Sequence, residues 1–269
     1  MKVTVLIENT TSLPVLIPEH GLSLFVETQN NKILIDTGAT GEFINNAEKL
    51  GIDLKNVDIV ILSHGHYDHC GGVIPFNKIN DVSKIYINKN SFGDFYDTDG
   101  KYIGIDKSIL SLTNVVLTDK YFKINDDISL FSEIKGRRYF PQGNSRLLKI
   151  ENGKSLKDDF IHEQFAVITE NGKNYLFSGC AHNGIVNILD RFIDEFGKTP
   201  DAVFSGFHLM KKTEYTVEEI DFIKQTSLEL CKYDTVFYTG HCTGEALPIL
   251  KDIMGEKLKV LKTGESFVL

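Results

Sequence analysis

Short apolar runs separated by polar breaks open the chain, a pattern that predicts β-strands. The predicted strands of this part lie at residues 3–7, 22–27, 32–36, 57–62 and 85–87. Asn30-Asn31 is a hairpin signal between the second and third of them. Residues 43–50 have helical spacing and stop at Gly51, which indicates a helix between the third and fourth strands.

After residue 160, apolar runs alternate with amphipathic segments. Strands are predicted at 165–168, 175–177, 202–204 and 236–238, and helices at 184–195, 216–231 and 245–254. Residues 257–269 predict a final strand pair around Thr263-Gly264.

Residues 90–160 are richer in Asp, Lys, Asn and Gly, with scattered aromatic residues. They predict an irregular insertion over the site, with strands near 128–131 and 147–150. No Pro-, Gly- or Ser-rich linker and no repeat interrupts the chain. Residues 1–269 are therefore expected to form a single domain.

Composition narrows the class of function. The net charge of −8 disfavours a general nucleic-acid binder, which usually has a basic surface. The N-terminal apolar run is too short for a secretory signal, and no run has the length of a membrane span. A cytoplasmic protein with no membrane partner is the expectation. Four widely separated cysteines indicate reduced thiols rather than a disulfide framework.

Three of the eight histidines fall between residues 64 and 69. His64 and His66 are two positions apart, so on extended chain they point the same way, and Asp68 and His69 follow as the chain turns. Two imidazoles and a second carboxylate–imidazole pair suit two adjacent ions of the zinc, iron or manganese type. The alternative is a polar surface loop with coincidental histidines.

Other histidines also follow predicted strands. His182, His208 and His241 each come after an apolar run that reaches a glycine, and Cys180 lies two residues before His182. These side chains are expected to meet residues 64–69 at one rim. The alternative for each of them alone is a hydrogen-bonded histidine beside the site.

Several motifs together resemble the metallo-β-lactamase superfamily, and within it the branch of a 7,8-dihydropterin synthase of methanopterin biosynthesis. They are Glu19-His20-Gly21-Leu22-Ser23, the lead-in at 32–38, Ser63-His64-Gly65-His66-Tyr67-Asp68-His69, Gly179-Cys180-Ala181-His182-Asn183-Gly184, Gly206-Phe207-His208-Leu209 and Thr239-Gly240-His241-Cys242-Thr243-Gly244. The resemblance implies an α/β (α+β) protein with an αββα four-layer sandwich and one or two divalent transition-metal ions. Zinc is the favoured ion, with iron or manganese as alternatives.

The resemblance also implies a ligand set. His64 and His66 would bind the first ion, and Asp68, His69 and His241 the second. Cys180 stands where the superfamily usually has a bridging carboxylate. The third ligand of the first ion is either His182 or His162, and His182 is favoured.

The expected activity is hydrolysis of a small anionic, phosphate-containing molecule by a metal-bound hydroxide. Asp68 would orient that hydroxide, and His208 would donate a proton or hold the developing oxyanion. Arg137 and Arg138, in the arginine-rich segment 136–146, are candidate substrate contacts, with a solvated hairpin as the alternative. Two other functions stay open: a transferase that couples a pterin diphosphate to an aryl amine, and a non-catalytic metal-dependent sensor.

Overall fold

The computed structural model describes residues 1–269. Its strands are β1 (Lys2–Ile7), β2 (Ser23–Glu27), β3 (Lys32–Ile35), β4 (Ile59–Ile61), β5 (Lys84–Asn88), β6 (Asp94–Asp97), β7 (Val115–Thr118), β8 (Tyr121–Lys123), β9 (Ile128–Phe131), β10 (Leu147–Glu151), β11 (Lys154–Lys157), β12 (Phe165–Glu170), β13 (Lys173–Phe177), β14 (Ala202–Phe204), β15 (Val236–Thr239), β16 (Leu258–Val260) and β17 (Ser266–Val268). Its helices are α1 (Glu42–Lys49), α2 (Tyr67–Cys70), α3 (Val73–Asn77), α4 (Ile185–Phe196), α5 (Val217–Leu230) and α6 (Leu247–Met254). None of the helices is both long enough and apolar enough to cross a membrane.

Two seven-stranded sheets form the centre of the protein. The first has the order β17-β1-β2-β3-β4-β5-β7, and the second has the order β16-β15-β14-β13-β12-β9-β8. Strands β6, β10 and β11 make a third, smaller sheet.

Both faces of each large sheet are buried, because apolar side chains occupy both phases of the two-residue strand period. On β3, Ile33 and Ile35 belong to the core between the sheets, whereas Leu34 packs with Phe43 of α1 on the outer face. On β13, Phe177 faces the core between the sheets and Leu176 faces the outer helices α4 to α6. These four layers confirm the predicted αββα sandwich.

Residues 90–160 differ from the predicted irregular insertion, since they contain six strands. Strand β7 extends the first sheet, β8 and β9 extend the second, and β6, β10 and β11 form the third. Many residues of these strands are exposed or half-buried, because they lie at sheet edges. The short, partly polar sequences of β6, β8 and β11 give weak strand signals, whereas β7 is apolar and was missed although its sequence favours a strand. The strands predicted near 128–131 and 147–150 are confirmed as β9 and β10.

The predicted final strand pair is wrong in its pairing. Strand β16 runs parallel to β15 in the second sheet, whereas β17 pairs antiparallel with β1 in the first. The segment between them crosses from one sheet to the other, and there the Thr263 hydroxyl donates to the Glu8 carbonyl at 3.0 Å. A local turn signal cannot distinguish this crossover from a hairpin.

Parallel strands bring the chemical groups to one edge of the sandwich. Strands β3, β4 and β5 are parallel neighbours in one sheet, and β13, β14 and β15 in the other. The carboxyl ends of parallel strands share an edge of their sheet, which is where the histidine motifs begin.

Candidate metal centre

The segment after β4 turns sharply at Gly65. A Cβ atom there would collide with the backbone of Ser91, so only glycine fits. The turn is followed at once by α2, whose first residues after Tyr67 are Asp68 and His69. The motif thus places two ligand candidates before the helix and two within it.

Four non-glycine residues just after strands of the site have a left-handed backbone. They are Asp36 (φ 57°), Ala181 (φ 54°), His208 (φ 48°) and His241 (φ 49°), following β3, β13, β14 and β15. Such residues cost about 1–3 kcal/mol each where they are strained, and they concentrate at functional sites. The surrounding fold therefore holds these strand ends in an unfavourable conformation beside the histidine cluster.

His64, His66 and His182 form the first group of potential ligands. One ligand atom from each lies within 4.8 Å of the others, and the Nε2 atoms of all three are buried without a hydrogen-bond partner. Burial, together with the neighbouring histidines, lowers the pKa of His64 and of His182 well below the usual value. Burial and His162 lower the pKa of His66 to about 3. Three neutral imidazoles with free Nε2 lone pairs fit a divalent metal ion.

His162 has a different environment. Its Nδ1 accepts a hydrogen bond from the Gly65 amide at 3.1 Å, and its Nε2 lies 3.0 Å from Oδ2 of Asp158. Both ring nitrogens are therefore engaged within the protein. This geometry favours His182 over His162 as the third ligand of a first ion.

A second group surrounds His69. Its Nε2 lies 3.2 Å from Nε2 of His241, 3.9 Å from Oδ2 of Asp68 and 3.2 Å from Sγ of Cys180. Nε2 of His241 is 3.3 Å from the same Asp68 oxygen. Ligands about 2.0–2.1 Å from a tetrahedral zinc ion are roughly 3.3 Å apart, so these four donors fit a second ion.

The charges of this group already favour a cation. Burial alone would raise the pKa of Asp68, but His69 and His241 outweigh it and lower that pKa far below its usual range. Burial opposes protonation of His69, yet Asp36 and Asp68 raise its pKa to about 9. An ion that binds Nε2 of His69 would therefore have to displace a proton from this ring.

Outer hydrogen bonds orient several of these rings. Nδ1 of His64 lies 2.9 Å from the Ser63 hydroxyl, and Nδ1 of His182 lies 3.1 Å from Oδ1 of Asn144. Nδ1 of His241 lies 3.0 Å from Oδ1 of Asn9. Such contacts fix the ring orientation of metal-binding histidines.

The two groups open into a cleft of about 650 Å³. His208 lines this cleft, its ring centroid lies 4.2 Å from that of His182, and its Nδ1 is buried without a partner. The predicted site histidines, Asp68 and Cys180 are thus brought together.

The two arginines predicted as substrate contacts do not line the cleft. Arg138 pairs with Asp190 at 2.9 Å and Glu229 at 3.2 Å, and Arg137 donates to the backbone carbonyls of Ile134 and Gly136. The three arginines of segment 136–146 do not lie together, because the chain turns between Arg138 and Arg146. Of the three, only Arg146 lines the cleft. Both Arg137 and Arg138 are exposed, so their role as substrate contacts stays a prediction that the lining of this cleft does not support.

Sequence reasoning missed several residues of the cleft. Lys101, Lys211 and Lys212 supply positive charge, and an apolar wall is formed by Ile103, Leu147, Leu209, Met210, Tyr215, Phe222 and Ile223. No local signal separates these residues from ordinary surface or core. His20, in contrast, lay within a motif that the sequence already displayed.

Comparison with known proteins agrees with this geometry. The sequence model described as the metallo-beta-lactamase superfamily matches residues 16–241. The chain is 31% identical over 247 residues to the 7,8-dihydropterin-6-methyl-4-(beta-D-ribofuranosyl)-aminobenzene-5'-phosphate synthase of Methanocaldococcus jannaschii, covering 84% of this chain and 81% of that protein. It is 30% identical to an uncharacterized protein of the same organism, covering 90% of each.

A solved structure described as a metal-dependent hydrolase of the beta-lactamase superfamily superposes with a TM-score of 0.84. It is 28% identical to this chain and covers 100% of it, with 99% of the solved chain covered in turn. The similarity therefore extends through the cleft-forming segments as well as the sheets.

Proposed function

The chain belongs to the metallo-β-lactamase superfamily, and on that premise we propose that it is a metal-dependent hydrolase of a small anionic, phosphate-containing molecule. The observation that carries the proposal is the set of three buried, unpartnered Nε2 atoms of His64, His66 and His182 at the base of the cleft. Buried polar atoms without partners are rare, and each needs an explanation such as a bound ion.

The ligand assignment follows from the two groups of donors. His64, His66 and His182 would hold the first ion. Asp68, His69 and His241, with the Cys180 thiolate, would hold the second. A bound divalent ion polarises a substrate oxygen and lowers the pKa of water to about 7. Zinc is favoured because it accepts imidazole, carboxylate and thiolate ligands alike.

Two side chains of the cleft have catalytic roles in this proposal. Asp68 faces both the second donor group and the cleft, so its carboxylate would orient the attacking water. His208 lies beside His182 on the cleft wall, where its ring would donate a proton to the leaving group or stabilise developing negative charge.

The cations of the cleft support an anionic substrate. Arg146 is paired with Asp99 and Lys211 with Glu219, but Lys101 and Lys212 have no carboxylate partner. Nζ of Lys101 donates only to the Tyr67 hydroxyl, at 3.2 Å. The ammonium groups of Lys101 and Lys212 form no salt bridge and are available to a negatively charged substrate, beside the Asp97 carboxylate that also lines the cleft.

A hydrolysis screen tests the proposal. Metal-loaded protein is presented with phosphomonoesters, phosphodiesters, thioesters and lactones, and we expect turnover of a phosphate ester. The double variant Lys101→Ala/Lys212→Ala should raise KM for that substrate by about ten-fold, with kcat less affected, since it removes binding charge. Lys55→Ala, an exposed lysine at the other end of β4, is the matched control and should leave KM unchanged. Turnover of lactones or thioesters alone would contradict the phosphate assignment.

A second candidate is a transferase that couples a pterin diphosphate to an aryl amine. It is favoured by the 31% identical relative, whose name describes a dihydropterin synthase. The apolar cleft wall with Tyr215 and Phe222 would suit a planar ring.

Incubation with a dihydropterin diphosphate and an aryl amine separates the two candidates. A coupled pterin product that requires the amine would support the transferase, whereas diphosphate release without amine would support the hydrolase. Metal-loaded protein that converts none of these compounds would support a sensor without turnover.

A further inference from the structure

His20 lies at the mouth of the second donor group and is not one of its four donors. Its Nε2 is 3.4 Å from Oδ2 of Asp68, and its ring centroid is 4.9 Å from that of His241. Ligand atoms of these three residues all lie within 4.8 Å of one another. The His20 side chain is 45% exposed and lines the cleft, so it approaches the group from the solvent side.

The loop that carries His20 is anchored on its first side by Glu19. Oε1 of Glu19 accepts hydrogen bonds from the amides of Ala39 (2.8 Å) and Thr40 (3.1 Å), and Oε2 accepts the Thr40 hydroxyl at 2.7 Å. One carboxylate thus satisfies three donors of the turn after β3. The residue before His20 is held in place by this turn.

The other side of the loop is anchored directly on α2. The Leu22 amide donates to the carbonyl of Asp68 at 3.2 Å. Gly21 packs so closely that a Cβ atom would lie 2.7 Å from the same carbonyl. The backbone around His20 is therefore joined to the residue whose carboxylate its ring faces.

We propose that His20 is an additional ligand of the second metal ion. Its distance to the Asp68 oxygen is close to the roughly 3.3 Å that separates two ligands of one zinc ion. Zinc can expand from four to five ligands, and His20 would supply the fifth from the face that is open to the cleft. The simpler role is a hydrogen bond to Asp68 alone, which would leave the His20 ring without direct contact to a metal. The proposal rests on the second site of the proposed function.

Metal titration tests this role without any assay of activity. Zinc is added to metal-free protein in competition with a chromophoric chelator. We expect wild-type protein to bind two equivalents, and His20→Gln to bind the first equivalent normally but the second at least about ten-fold more weakly. Thr213→Ala, at another exposed residue of the same cleft, is the matched control and should bind both equivalents as wild type does.

Nitrogen NMR of protein labelled in its histidine rings supplies direct evidence. The Nε2 resonance of His20, assigned by its loss in His20→Gln, should shift on the second equivalent of zinc as a metal-bound imidazole does. A retained proton on Nε2, or unchanged affinity of His20→Gln for the second ion, would overturn the proposal. Two bound ions without hydrolysis in the wild type would instead refute the hydrolase and leave the His20 assignment standing.

Discussion

Nδ1 of His69 lies 2.7 Å from Oδ2 of Asp36, and both side chains are fully buried. The same carboxylate also accepts the amide and the hydroxyl of Ser63, each at 2.7 Å. Asp36 therefore links the end of β3 to the turn after β4 and aims Nε2 of His69 at His241 and Cys180. This carboxylate would therefore orient the proposed ligand His69 without itself binding the ion.

Asp36→Asn should weaken binding of the second ion by roughly 10–100-fold, because outer partners of ligating histidines have effects of that size. Zinc titration against a chelator measures the change. Asp58→Asn is the control, since the exposed Asp58 carboxylate accepts a hydrogen bond from the amide of Lys32, the first residue of β3. Equal affinities of the two variants would contradict the orienting role.

His182→Ala should abolish tight binding of the first ion, because it removes one of three unpartnered Nε2 donors. His162→Ala should lower the affinity by no more than about 100-fold, since His162 acts only through Gly65 and Asp158. Metal content after dialysis measures both effects. If His162→Ala lost the first ion and His182→Ala retained it, the two assignments would be exchanged.

Cys180→Ser should remove the near-ultraviolet absorption that cobalt-loaded protein shows when a thiolate binds the ion. Sγ of Cys180 lies 3.2 Å from Nε2 of His69, which places it among the second donor group. Cys231→Ser is the control, because the half-buried Cys231 thiol contacts the Ile253 carbonyl rather than any of the proposed metal ligands. A band of undiminished intensity in Cys180→Ser would exclude Cys180 as a ligand and point to Cys242, which shares a group of potential ligands with Cys180 and His241.

Phe204→Ala should lower the free energy of unfolding by about 3–5 kcal/mol. The Phe204 ring is fully buried between the sheets, stacked 4.9 Å from Phe177 and 4.4 Å from Tyr238. Denaturant unfolding with chelator present measures the loss without a contribution from metal binding. Val82→Ala, at a 76% exposed position, should change stability by less than about 0.5 kcal/mol.

Most of the fold could be predicted from the sequence, because the strands are short apolar runs and the outer helices are amphipathic. The continuous apolar runs of β3 and β13 already indicate sheets that are buried on both faces. Edge strands were harder, since β7 exposes Leu117 and β8 exposes Tyr121 and Lys123, and such short strands carry a weaker pattern. The partners of β16 and β17 could not be predicted, because two short strands on either side of a turn can pair with each other or with separate sheets.

The candidate site, like the fold, could be predicted only in part from the sequence. Residues 64–69 by themselves predict a metal site, because three histidines and an aspartate at this spacing are typical of metal ligands. Which distant residues join them depends on contacts between segments far apart in the chain. The sequence leaves both His162 and His182 open and favours His182. In the structure, Asp158 and the Gly65 amide engage both ring nitrogens of His162, whereas Nε2 of His182 has no partner.

The sequence by itself thus determined the metal-binding motif through local spacing and most strands and helices through periodicity, whereas the αββα sandwich was implied by the resemblance to a known family. Only the tertiary structure decided that His20 faces Asp68, that Arg137 and Arg138 point away from the cleft, and that Lys101 and Lys212 remain unpaired at its rim. Hydrogen bonding and charge pairing are satisfied between segments that the chain order keeps apart, so no local pattern records them.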